Sequence, residues 1–307
     1  MNLHPQAKLA IERAGELPSD LSPPELRRHY DRVRMPLQPP RPTIERVRSV
    51  AITTRAGSIG GRLYQSESSD PSPRPLLVYF HGGGWVLGSL EGYDTLCRHL
   101  AIASGWHVLS VDYRLAPEHR FPAAVEDAHD AVLWSAEHAA ELGIDRERIA
   151  VGGDSAGANL SAVTAQACSQ GEGPRLAAQI LIYGSYDMSR EWPSYERLAT
   201  GCMLTRAALR WFYSQYLETP DQATDWRASP LLAADVSGMP PSLFVVAEYD
   251  PLVDENVAYA KRLRDAGVRV DYLEFERMIH PFLSMGGVID EAERAVRAIG
   301  DYLASGG

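Results

Sequence analysis

Cysteine is scarce in these 307 residues: Cys97, Cys168 and Cys202 are all there is. An odd number without motif spacing argues against a disulfide framework and fits a reducing compartment. Long apolar runs are missing as well. No stretch reaches the roughly 18 apolar residues of a membrane span. The opening MNLHPQAKLAIERAGELPSD alternates charged with apolar residues and lacks the apolar core of a signal peptide. The expectation is a cytoplasmic protein without stable membrane association. Excess positive charge is also absent, the formal net charge being -10. That balance argues against nucleic acid or an anionic membrane surface as partner, since both need concentrated basic charge; it fits a soluble domain. There is no internal repeat and no low-complexity tract. What remains is ordinary globular composition, with 45% hydrophobic and 23% charged residues. The length suits one α/β domain with a large core, or two small domains.

The first forty-odd residues read differently from the rest. Leu9 to Ala14 and Pro24 to Val33 carry helical spacing, with Ser22 as a candidate N-cap, and MPLQPPRPT then breaks the pattern. Residues 1–45 are therefore expected to form the N-terminal part of a cap. From Arg46 onward, strands and helices alternate. VRSVAITT, GRLYQS, LLVYF, HVLSV, RIAVGG, AQILIYG, SLFVVAE and RVDYLEFE read as strands. Helices are expected at Tyr93–Ala103, at AAVEDAHDAVLWSAEHAAEL, after Ser155, and near Val253–Ala266 and Asp290–Leu303. Such alternation predicts a mainly parallel sheet covered on both faces. It assigns residues 46–185 and 230–307 to a catalytic domain. Residues 186–229, with Trp192, Trp211, Phe212 and Trp226 and a helix near Thr205–Leu217, break the alternation and read as a second cap segment.

Gly153-Asp154-Ser155-Ala156-Gly157 fits G-x-S-x-G. The match alone is weak, but here it joins a strand to a helix. In that context a sharp turn lifts the serine out of the sheet and leaves room only for glycine on either side. His81-Gly82-Gly83-Gly84-Trp85 follows the strand LLVYF directly. Three consecutive glycines carry an entropic cost. Bare amides at Gly83 and Gly84, with that of Ala156, offer a reason, because they can bind a developing oxyanion. A phosphate-binding loop is disfavoured, since no Lys-Ser/Thr or G-x-G-x-x-G continuation follows.

The chain order of this elbow type is serine, acid, histidine. Of nine histidines only His280 lies beyond Ser155. Eight aspartates lie between them, and Asp250 stands just past SLFVVAE, at the sheet edge where open α/β sheets bind ligands. Asp254, one helical turn on, and Glu248 remain fallbacks. His81 reads as structural, because a base ahead of Ser155 breaks the order.

HGGGW (81–85), DYRLAPEHRFP (112–122), GDSAGANLS (153–161), AEYDPLVDE (247–255) and MIHPF (278–282) resemble the hormone-sensitive-lipase family of bacterial esterases, more narrowly its GDSAG branch. The resemblance spans almost the whole chain. It implies an eight-stranded, mostly parallel sheet of the α/β-hydrolase fold with a helical cap. It also implies cofactor-free hydrolysis of short-to-medium acyl esters through an acyl-enzyme on Ser155, and frequent homodimers. Three places depart from the family pattern: Gly184 in place of a common proline, Val253 in place of a common arginine, and the flanks of His280, where Arg277 and Pro281 stand in place of common glycines.

The substrate walls are expected to include Trp85, Tyr186, Trp211, Phe282 and Leu283, with Trp192 and Leu204 nearby. Bulky walls predict an acyl optimum between about four and eight carbons, with each covered methylene contributing about 0.8 kcal/mol until the pocket is full. A deacetylase, amidase or lactonase on the same triad is the alternative chemistry, and a silent binding protein of the same fold the alternative class. A metal hydrolase has only His129, Asp130 and His138 to offer, without H-E-x-x-H spacing.

Overall fold

The computed structural model of the chain describes residues 1–18, 20–66 and 72–306. Its strands are β1 (Arg46–Thr54), β2 (Gly57–Gln65), β3 (Arg74–Phe80), β4 (His107–Asp112), β5 (Ile144–Asp154), β6 (Gln179–Ile182), β7 (Ser242–Tyr249) and β8 (Val270–Ile279). They form one eight-stranded sheet in the order β1-β2-β4-β3-β5-β6-β7-β8. β1–β2 and β2–β4 pair antiparallel, and the remaining neighbours are parallel. Each strand read from the sequence is present. β1, one of the two edge strands, carries exposed Arg46, and charge of this kind discourages edge-to-edge pairing.

The helices are α1 (Pro5–Ala14), α2 (Pro23–Arg34), α3 (Asp94–Ser104), α4 (Ala123–Glu137), α5 (Ala139–Leu142), α6 (Ala156–Ala167), α7 (Pro193–Arg197), α8 (Arg206–Tyr216), α9 (Val253–Asp265) and α10 (Glu291–Ala304). Period-two alternation in the inner strands feeds two cores. Leu76, Val78 and Phe80 of β3 join Leu160 of α6, Val132 of α4 and Leu263 of α9 on one face. Leu77 and Tyr79 join Leu100 of α3 and Ile299 of α10 on the other. Burying such a side chain is worth roughly 1.5–3 kcal/mol, so these two layers hold the sheet between its helices.

Two helices differ from their sequence reading. α1 starts at Pro5, because His4 caps it by accepting from the Gln6 amide at 3.3 Å. The single helix expected over 123–142 breaks at His138, whose ring contacts the Trp134 carbonyl at 2.9 Å and stacks on that tryptophan. Ser22 caps α2 as expected, its amide donating to Glu25 Oε2 at 3.0 Å.

Strand order reverses around β3, which has β4 on one side and β5 on the other. In open parallel sheets the crevice at such a point, at the carboxyl ends of the strands, is where ligands bind. The residues after β3 and β5 are His81–Trp85 and Ser155. Burial pushes the three free thiols up to about 12 and removes them from chemistry at neutral pH. Among the described residues, no helix is long and apolar enough to cross a membrane, and no three His, Cys, Asp or Glu side chains are grouped to hold a metal ion. Asp130 is engaged by Arg55, and His129 by the Glu172 carbonyl.

Candidate active site

Ser155 sits between β5 and α6 with φ 55° and ψ -118°, a conformation L-residues rarely hold. Its amide donates to the Ile182 carbonyl at 2.8 Å, which fixes the turn against β6. The flanking glycines are required by space. A Cβ on Gly153 would lie 2.3 Å from the Phe80 carbonyl oxygen, and one on Gly157 only 1.9 Å from it. The backbone of β3 therefore presses directly on the elbow, and Ser155 is the only side chain in the turn that can point outward.

His280 follows β8 and Asp250 follows β7, neighbouring parallel strands whose ends bring the two together. His280 Nδ1 and Asp250 Oδ2 are 2.8 Å apart, both side chains buried. The other carboxylate oxygen, Oδ1, accepts from the Leu252 amide at 2.8 Å, so the acid is held from two sides. The fallback acids are engaged elsewhere. Asp254 accepts from the Ser194 amide at 2.8 Å and pairs with Arg197, and Glu248 accepts from the Arg277 amide at 2.7 Å. Ser155 and His280 line one cavity, and neither Ser155 Oγ nor His280 Nε2 bonds to another described residue.

The amides of Gly83, Gly84 and Ala156 donate to no acceptor among the described residues. Gly83 and Gly84 have φ of +120° and +61°, and Cβ atoms there would strike the Leu87 carbonyl and the Phe212 ring. His81 is structural: it stacks on Tyr113 at 4.5 Å, its Nδ1 contacts the Gly82 carbonyl, and burial holds its pKa below the usual imidazole range.

Asp154, unremarked in the sequence reading, ties this loop to the elbow. Its Oδ1 accepts from the Gly82 amide at 2.9 Å and the Tyr79 hydroxyl at 2.8 Å, and its Oδ2 from the Tyr93 hydroxyl at 3.1 Å. Its position beside Ser155 was the available signal. A second missed group is Glu255. It lies fully buried behind the cavity, accepting from the Asp187 amide at 2.9 Å, the Tyr195 hydroxyl at 2.8 Å and the Tyr186 amide. Desolvation pushes its pKa up to about 8 despite those bonds. Tyr195 in turn contacts Tyr213, which meets Ser185 at the cavity wall.

The cavity corrects most of the expected walls. Trp85 lines it, as does Leu204. Trp211 does not: α8 turns Leu209, Phe212 and Tyr213 inward, and Trp211 packs against Phe212 from the side at 5.1 Å. Tyr186 lies beneath the site, 4.6 Å from Tyr259 in the core. Phe282 and Leu283 follow His280 in a short 3₁₀ turn that carries them into the α3–α10 core, where Phe282 meets Phe275 at 4.9 Å. Trp192 lies under the Arg190 guanidinium at 4.0 Å, outside the cavity. The remaining wall comes from the end of α1 and from Tyr30, Val33 and Arg34 of α2.

The departures from the family pattern also find places. A Cβ on Gly184 would lie 2.3 Å from the Tyr186 hydroxyl, so this backbone has no room for a larger residue. Arg277, at φ +61°, gathers the N-terminus: its Nε donates to the Asn2 carbonyl at 2.9 Å, and its own carbonyl accepts from the His4 amide at 3.0 Å.

A family model described as the alpha/beta hydrolase fold matches residues 77–284. The chain is 44% identical over 255 residues to the ethyl acetate hydrolase of Pseudomonas putida, covering 81% of this chain and 80% of that one. It is 41% identical over 224 residues to the carboxylesterase NlhH of Mycobacterium tuberculosis, covering 72% and 70%. The hyperthermophilic esterase from the archaeon Pyrobaculum calidifontis has a TM-score of 0.92 to this structure at 39% identity, over 99% of both chains. Motifs, topology and full-length likeness agree, and the chain belongs to the hormone-sensitive-lipase family of esterases within the α/β-hydrolase superfamily.

Proposed function

We propose that the chain is a serine carboxylesterase whose nucleophile is Ser155, whose base is His280 and whose orienting acid is Asp250. One observation carries the reading: His280, paired through Nδ1 with buried Asp250, shares a cavity with a serine held at a strained turn. In acylation, Ser155 Oγ attacks the ester carbonyl while His280 Nε2 takes its proton. Charge on the carbonyl oxygen is met by the amides of Gly83, Gly84 and Ala156, each such donor being worth about 3 kcal/mol. Asp250 holds the imidazole tautomer and stabilises the imidazolium without taking the proton. His280 then protonates the departing alkoxide, and water repeats the sequence on the acyl-enzyme, returning Ser155 and releasing the acid.

Acyl groups of about four to eight carbons suit the walls. Trp85 is fixed by stacking on Tyr216 at 4.4 Å, and Phe212 closes on Gly84. The test combines a phosphonate label with a p-nitrophenyl ester series from acetate to palmitate in detergent-free buffer. Labelling is expected on the peptide containing Ser155, and kcat/KM is expected to peak within that range. Labelling of another serine overturns the nucleophile; a long-chain maximum with activation at an oil–water interface overturns the chain-length reading.

A further inference from the structure

Arg34, the last residue of α2, is 7% exposed and lines the same cavity as Ser155 and His280. Its Nη1 donates to the Tyr30 hydroxyl and its Nη2 to the Ser284 hydroxyl, and its guanidinium lies 4.6 Å from the Tyr30 ring centre. All these partners are neutral. Among the described residues, no carboxylate pairs with it, whereas half-buried Arg62 and Arg114 meet Asp94 and Asp127 at 2.8 Å. The other acids lining the cavity are Glu16, which is exposed, and Asp154, whose oxygens are taken by Gly82, Tyr79 and Tyr93. A guanidinium has five N–H donors, and the two hydroxyls use two of them. Burying a cation without an anion is costly, and a charge left this way calls for a partner supplied from outside.

We propose that Arg34 forms an anion subsite of the catalytic cavity, and that the enzyme takes esters bearing a second, free carboxylate. This rests on the esterase reading above. The planar fork of arginine suits a carboxylate. In an acidic protein that repels anions at long range, recognition of an anionic substrate depends on a cation placed at the site itself. The reaction stays a hydrolysis: a dicarboxylic hemiester and water give the dianion, the alcohol and one proton.

Two matched pairs test the proposal by pH-stat. Monoethyl glutarate against ethyl pentanoate places the charge on the acyl half; 4-acetoxybutanoate against butyl acetate places it on the alcohol half. Arg34→Met is expected to lower kcat/KM for the charged member of at least one pair about 10–100-fold more than for its neutral partner, chiefly through KM; Arg34→Lys recovers part of that difference. Which pair responds tells which half of the substrate faces α2. Equal losses on charged and neutral esters make Arg34 only a pin between α2 and the base loop, and overturn the subsite. Wild-type activity on neutral esters with none on either charged ester overturns it too, whereas inactivity on all four counts against the esterase reading itself. Should Arg34→Met not fold, inhibition of wild-type ethyl pentanoate hydrolysis by butyrate and by butyramide decides. Butyrate is expected to bind about tenfold or more tightly; equal inhibition overturns the proposal.

Discussion

The elbow around Ser155 and the cavity wall opposite it are built on different principles. At the elbow the backbone sets the chemistry. Gly153 and Gly157 are there because the Phe80 carbonyl leaves no space, and the serine follows from the turn. The wall is set by side chains on helices α1, α2 and α8, where one residue's rotation decides between cavity and core. Phe212 faces the cavity while Trp211, its neighbour, does not. A backbone requirement leaves a fixed motif in the sequence, whereas a facing requirement leaves only a periodicity that many registers satisfy.

The sharpest way to break this comparison is at the triad. Ser155→Ala is expected to lower kcat by about 10⁵–10⁶ with the circular dichroism spectrum unchanged. Asp250→Asn should cost about 10⁴, and Asp254→Asn little, because Asp254 serves α7 and not the base. Full activity of Asp250→Asn with loss in Asp254→Asn reverses the assignment. Next in size is Gly157→Ala, whose methyl must displace the β3 backbone. An overpacked site of this kind costs about 3 kcal/mol or more, read from chemical denaturation. A variant as stable as the parent shows that the elbow is looser than its geometry.

The wall answers to substitution in finer steps. Phe212→Ala is expected to move the ester optimum to longer chains by about two carbons, while Trp211→Ala leaves it in place. The reverse outcome restores the wall expected from sequence. The smallest effect concerns Glu255. Its folded pKa, raised from 4.5 to about 8, means that the native state binds the proton more tightly than the unfolded chain. Stability therefore falls as pH rises between those values, and Glu255→Gln should remove that fall. The difference between variant and parent should grow in the variant's favour by on the order of 1 kcal/mol per pH unit across that window. A pH-independent difference shows that Glu255 is charged throughout.

What was legible follows the same division. All eight strands and the sharp strand-to-helix turn at Ser155 were readable, because alternation and turn residues are local properties. Tyr186, Trp211, Phe282 and Leu283 were misplaced, since nearness to a motif in sequence does not say which way a side chain turns. After His280 the chain makes a 3₁₀ turn, and Phe282 swings into the lower core. Arg34 and Asp154 went unread for the complementary reason: their meaning lies in partners 250 and 72 positions away.

Arg277 ties together two segments 275 positions apart in the sequence. Asn2 and His4 are bonded to it, three residues ahead of His280. The bonds of residues 2–4 to Arg277 can form only once β8 is present. His280 follows the same strand directly. Removal of residues 2–4 is expected to loosen the strand that carries His280 while sparing every motif.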